Sequence, residues 1–232
     1  RLVAPAEAGK FGGFKELLSF PCEGIPTHLV TRKNGLLVAA GGSGMLLYEW
    51  PDRGVTPKLR GRFPFVDYTK EIAMDEGGIA YLADNFETGL QVVDPRDLLR
   101  PKLMAMRTGG FCDSVAIAGD LLAVANRQMG FQIWSVHDPA EPMLIQTVAP
   151  EEGGVAKSVA FGAAGMLVLC GGKAGASLFG PETTGGSPGM ASMGRLTPEG
   201  ASAIDAIFLS PGLIVVSSDR GELFFCHPTP RS

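Results

Sequence analysis

The 232-residue sequence has little that would build helices, bind nucleic acid or span a membrane. Helix signals are nearly absent, and Asp97-Leu98-Leu99 alone reads as a single helical turn. Lys and Arg form no cluster and the net charge is −4, which argues against nucleic acid as a partner. No uninterrupted apolar run reaches the ~18 residues of a membrane-spanning helix; the longest candidates are broken by turn glycines and read as hairpins. Cys22, Cys112, Cys170 and Cys226 form no CxxC pair, and their spacing selects no redox compartment. Charged residues are only 19%, whereas glycine reaches 32 residues, a balance that suits many tight turns around a large buried core.

What is present is a repeat. A glycine opens an apolar strand at Gly44, Gly89, Gly130, Gly175 and Gly221, at successive steps of 45, 41, 45 and 46 residues. Each copy has the same order of parts. An innermost strand (His28 to Thr31, Glu71 to Met74, Ser114 to Ile117, Ser158 to Phe161, Asp205 to Phe208) precedes a turn glycine. Asn34-Gly35 is the strongest such turn, since glycine accepts the positive φ of a tight hairpin. An apolar strand, a polar loop, the marker glycine and a third strand follow. A proline pair, such as Pro95 and Pro101, then launches an outer strand of mixed polarity. A period of 40–50 residues made only of strands predicts an all-β propeller with one four-stranded antiparallel blade per repeat, hence five blades.

The fifth copy stops where its outer strand should begin, and residues 15–20 form an unmatched N-terminal strand. That strand is expected to complete the last blade and close the ring, removing an exposed sheet edge. Residues 1–13 read as a flexible arm and 14–232 as one domain. Residues 181–188 read as a flexible rim loop.

The stretches Gly89-Leu90-Gln91-Val92-Val93-Asp94-Pro95 and Gly130-Phe131-Gln132-Ile133-Trp134-Ser135-Val136-His137-Asp138-Pro139, the latter followed by Glu141-Pro142, resemble the LVIVD-repeat family of propellers. The aspartate is missing from the other three copies, which carry Glu49-Trp50-Pro51, Gly180-Pro181 and His227-Pro228. The resemblance implies a propeller that is often exported, hence periplasmic or extracellular, with no common activity and no catalytic residues to carry over. The WD40 signature is absent, because Trp50 precedes proline and Trp134 precedes serine.

Superposing the copies gathers polar residues at one end of the ring. The innermost strands start with His28, Lys70-Glu71, Asp113-Ser114, Lys157-Ser158 and Asp205; the loops after the second strands add Asp84, Asn126, Arg127, Asp219 and Arg220. Such a cluster on rigid elements is a candidate ligand-binding mouth. Three readings compete there: mutual hydrogen bonding that plugs a channel, binding of a partner's loop or a small polar ligand, and catalysis or metal binding. His28, Glu71 and Asp205 could hold a divalent ion only if the channel is narrow. Glu71, Asp113 and Asp205 are the carboxylates a glycosidase would need. The reading favoured is a non-catalytic protein-interaction or scaffold module without cofactor or metal, whose partner is another protein; the alternative is a carbohydrate-active hydrolase.

Overall fold

The computed structural model describes residues 2–5 and 14–227, apart from 53, 65, 66, 87, 108, 128, 152, 185 and 186; for 2–5, 14–17, 183, 184, 187 and 188 it describes backbone alone. Strands β1 (Leu2–Pro5) and β2 (Phe14–Leu18) pair antiparallel with each other. The repeats follow as five antiparallel sheets. The first holds β3 (His28–Arg32), β4 (Gly35–Ala39), β5 (Met45–Glu49) and β6 (Lys58–Phe63). The second holds β7 (Thr69–Met74), β8 (Ala80–Asp84), β9 (Leu90–Asp94) and β10 (Lys102–Arg107). The third holds β11 (Ser114–Ala118), β12 (Leu121–Asn126), β13 (Gly130–Ser135) and β14 (Met143–Val148). The fourth holds β15 (Ser158–Phe161), β16 (Leu167–Cys170), β17 (Ala176–Thr184) and β18 (Ser187–Arg195). The fifth holds β19 (Asp205–Ser210), β20 (Leu213–Ser217) and β21 (Leu223–Cys226).

Each of the first four sheets is a meander in chain order, and the innermost strands β3, β7, β11, β15 and β19 lie side by side in sequence. The marker glycines explain the repeat: Gly44, Gly89, Gly130, Gly175 and Gly221 all have φ between +66° and +88°. At Gly89 a Cβ would also meet the Arg107 carbonyl oxygen at 2.6 Å, so a side chain is excluded by both strain and space. Gly35 serves differently from its expected role. It does not adopt positive φ; it lets the Tyr48 carbonyl approach, which a Cβ would meet at 2.7 Å.

The core lies between sheets. Leu37 and Leu47 pack on Ile72, Leu82 and Val93; Tyr81 and Val92 on Val115, Val124 and Trp134; Ala123 and Ile133 on Val159, Leu169 and Phe179; Val168 and Leu178 on Ala206, Ile214 and Val216. The middle strands are therefore covered on both faces and read as unbroken apolar runs. Burying each such aliphatic side chain contributes about 2 kcal/mol.

Three expectations need correction. The N-terminal strand does not complete the last sheet: β2 pairs with β1, and β19–β20–β21 has three strands among the described residues. Residues beyond β2 turn to the first sheet instead, where Phe20 meets Tyr48 edge to face at 5.6 Å. Within the expected arm, residues 2–5 form β1; residues 1 and 6–13, like the fifth proline pair Pro228 and Pro230, lie outside the described residues. Of the expected rim loop at 181–188, residues 181–184 and 187–188 are the end of the β17–β18 ladder, with Pro181 opposite Met190. Proline is tolerated there because β16 pairs with β17 only as far as Phe179, so Pro181 lacks an inner neighbour whose carbonyl would need its amide. The Asp97 segment does form a single turn, closed by the Arg100 amide donating to the Asp97 carbonyl at 3.2 Å and by the Leu99 amide donating to Asp97 Oδ1 at 2.9 Å; a further short 3₁₀ turn occurs at Ala163–Gly165.

Candidate functional site

The starts of all five innermost strands line one open cavity of about 420 Å³. His28, Lys70, Glu71, Asp113, Ser114, Lys157, Ser158 and Asp205 meet there, together with Thr27, Tyr68 and Ile204. Equal spacing in the chain becomes equal height in the fold, so residues more than 40 positions apart share one mouth.

These side chains stitch neighbouring sheets. His28 Nδ1 accepts the Ile72 amide of the next sheet at 3.4 Å. Glu71 Oε2 accepts the Val115 amide at 3.1 Å, and Ser114 Oγ accepts the Val159 amide at 3.2 Å. Three successive inner strands thus hand an inward amide to the equivalent residue of the preceding sheet. Such amides lack a strand partner on the channel side, and an unpaired buried donor is costly. Ser158 closes the series by donating to Asp205 Oδ1 at 2.6 Å.

Asp113 anchors a second network. Its buried carboxylate pairs with Lys70 Nζ at 2.9 Å and with Arg127 Nε at 3.0 Å, and it accepts from Asn85 Nδ2. Burial opposes its ionised form, but hydrogen bonds from Arg127 and Lys70 outweigh that and hold the carboxyl below the usual range. Arg127, at φ +33°, also donates to Asn85 Oδ1 and lies 5.2 Å from the Phe111 ring centre. Phe111 and Phe86 are 6.1 Å apart and Phe86 and Tyr68 6.5 Å apart, with both phenylalanines exposed.

Glu71 is electrostatically unusual. Burial pushes its carboxyl up to about 7; the Ser114 hydroxyl and Val115 amide pull it down, and the Asp205 carboxylate pushes it further up. His28 Nε2 stands 3.6 Å from Glu71 Oε1. Burial lowers the pKa of that imidazole against the opposing pull of Asp205. Burial thus favours the uncharged form of both groups.

Five sequence-predicted residues do not line the cavity. Asp84 is turned inward and accepts the amides of Asp67 and Tyr68 at 2.9 and 3.0 Å, holding the loop before β7. Asn126 is buried and donates to the Gly109 carbonyl at 3.1 Å. Arg127 reaches the mouth through Asp113. Asp219, which accepts from Ser202, and Arg220 sit on the exposed β20–β21 turn. Among the described residues no group of three or more His, Cys, Asp or Glu side chains could hold a metal ion, and the described cysteines are free thiols. The residue missed by sequence reasoning is Tyr68. Its signal is an aromatic just before an innermost strand, as at Phe111.

No family model matches the chain, and no curated protein does. Among the solved structures, U3-55K aligns at TM-score 0.67 and 13% identity, over 91% of this chain and 63% of its own. A chain of the mitotic checkpoint complex aligns at 0.65 and 14%, over 86% and 60%. The periplasmic gluconolactonase PpgL of Pseudomonas aeruginosa aligns at 0.70 and 14%, over 89% and 67%. The chain thus spans about three fifths of the first two, and at such identities the likeness shows fold alone. That fold is β-propeller-like.

Proposed function

We propose that the chain is a non-catalytic interaction module that receives a protein segment on the mouth face, and that its five sheets act as propeller blades. The observation that carries this reading is the Tyr68–Phe86–Phe111 cluster, with both phenylalanines exposed and Arg127 bracing it, beside a mouth where Lys70, Asp113 and Arg127 already pair with one another. Exposed aromatics with arginine make the anchors of protein interfaces. A catalytic carboxylate would need freedom to exchange protons with substrate, whereas Asp113 is held by two cations and Glu71 and Asp205 accept sheet amides. The test is affinity capture from the native source with the wild-type chain and a Phe86→Ala/Phe111→Ala variant of equal thermal stability. Loss of a specific partner by the variant supports the reading; an identical set of captured proteins overturns it. An exported location rests on the LVIVD resemblance and is checked by fractionating the source cell.

A second reading, hydrolysis of a sugar or sugar lactone, is favoured by one observation: Glu71, pushed up to about 7 and facing an open cavity with Asp205 nearby, is suited to proton transfer. The solved structures include both a gluconolactonase and a chain of a multi-protein complex, so fold likeness does not choose between the two.

A further inference from the structure

The stack of sheets has an open end. In each sheet one transverse row faces the next sheet. Leu47, Val92 and Ile133 occupy the third-strand position of that row with 0% exposure, and Leu178 with 4%. Phe225 occupies the same position in the fifth sheet, opposite Val215, and is 65% exposed. Ile207, opposite Val215 on the other side, is 53% exposed, and Leu223 on the same face 61%. The reverse face at the other end is only partly bare: Val38 and Leu46 of the first sheet's row are 3% and 0% exposed and pack with Phe20 and Cys22. Ile72, Val115, Val159 and Ala206 are buried against a preceding sheet, whereas the equivalent Leu29 is 58% exposed. The first and fifth sheets therefore do not bury these rows against each other.

The amide series stops one sheet earlier, at Ser158, which donates to Asp205 and does not accept the Ala206 amide. His28, Glu71 and Ser114 each accept an amide from the following sheet, whereas Asp205 accepts from Ser158 behind it and from Ala206 on its own strand.

We propose that the outward face of β19–β21 is one half of a sheet–sheet interface, and that it receives a further four-stranded meander of the repeat's own construction, covalently continuous with the five. The row Ile207–Val215–Phe225 is as apolar as the four rows that are already covered. Continuing those four interfaces therefore requires only an aliphatic row of the kind that Ile72 and Leu82 present to the first sheet. A single sheet face of this kind, left bare, is an association hazard.

The test extends the 232-residue chain at its C-terminus with a copy of residues 57–107, which carries one outer strand and one whole sheet. Binding of the dye ANS and amide exchange at Ile207 and Phe225 are compared with the unextended chain. The proposal expects a several-fold drop in dye binding, at least tenfold slower exchange at both amides, and a rise in Tm of several degrees. Phe225→Asp should cancel those gains in the extended chain and leave the Tm of the unextended chain unchanged. Unaltered dye binding and exchange overturn the proposal. So does a dimer of the unextended chain that Phe225→Asp converts to monomer, since a second copy would then be the occupant.

Discussion

Replacing Glu71 by glutamine should make the protein more stable at pH 8 and leave it nearly unchanged at pH 4. The group's ordinary value is 4.5, and burial raises it to about 7 in the folded chain. The folded state therefore holds this proton more tightly than the unfolded state, and folding gains from it fully below pH 4.5. That gain is lost as pH rises to about 7, where the carboxylate must ionise inside the mouth. The interval between 4.5 and about 7, at about 1.4 kcal/mol per tenfold, bounds the cost at about 3 kcal/mol. Glutamine keeps an oxygen that can accept the Val115 amide, so the variant isolates the charge from the hydrogen bond. His28 acts in the opposite sense: its lowered pKa favours folding at higher pH, but it is common to both proteins and cancels in the difference. The assay is urea unfolding of both proteins at pH 4, 6 and 8. The variant should gain roughly 2–3 kcal/mol on wild type between pH 4 and 8. A difference that is flat with pH, or one that turns against the variant as pH rises, would refute the assignment of Glu71 as a buried acid.

Asp113→Ala should lower stability by about 2 kcal/mol or more, because it leaves Lys70 and Arg127 facing each other without the carboxylate between them; chemical denaturation checks it. Gly61→Ala should cost about 3 kcal/mol, since a Cβ there would stand 1.8 Å from the Leu98 carbonyl oxygen of the second sheet, and the drop in Tm reports it. Thiol labelling at pH 8 should modify Cys22 readily and spare Cys112 and Cys170 until the chain unfolds. Both spared thiols are buried, and burial pushes Cys112 up to about 12 and Cys170 higher than its ordinary value.

The repeat was legible because positive φ leaves a trace in the sequence: only glycine fits cheaply at Gly44, Gly89, Gly130, Gly175 and Gly221. The gathering of His28, Glu71, Ser114, Ser158 and Asp205 was legible for the same reason, since register follows from counting back from those turns. What the strand pattern cannot carry is the identity of a partner. Residues 15–20 alternate well enough to read as a strand, yet nothing in them selects β1 over β21. Nor does composition say which way a loop side chain turns. Asp84 and Asp219 occupy similar loops, but Asp84 faces inward to hold two amides and Asp219 stays at the surface. Likewise, no local signal distinguishes Phe225 from the buried Ile133: each is an apolar residue in a third strand, and they differ in that no sheet among the described residues follows the fifth.

The central claim is that the mouth is a structural girdle beside a protein-binding surface, not a catalytic centre. It is tested most directly by assaying the wild-type chain and a Glu71→Gln/Asp205→Asn variant against glycosides and sugar lactones, with partner capture measured in parallel. The account predicts no turnover by the wild-type chain and undiminished capture by the variant. Turnover by the wild-type chain that the variant abolishes, with its fold intact, would contradict it.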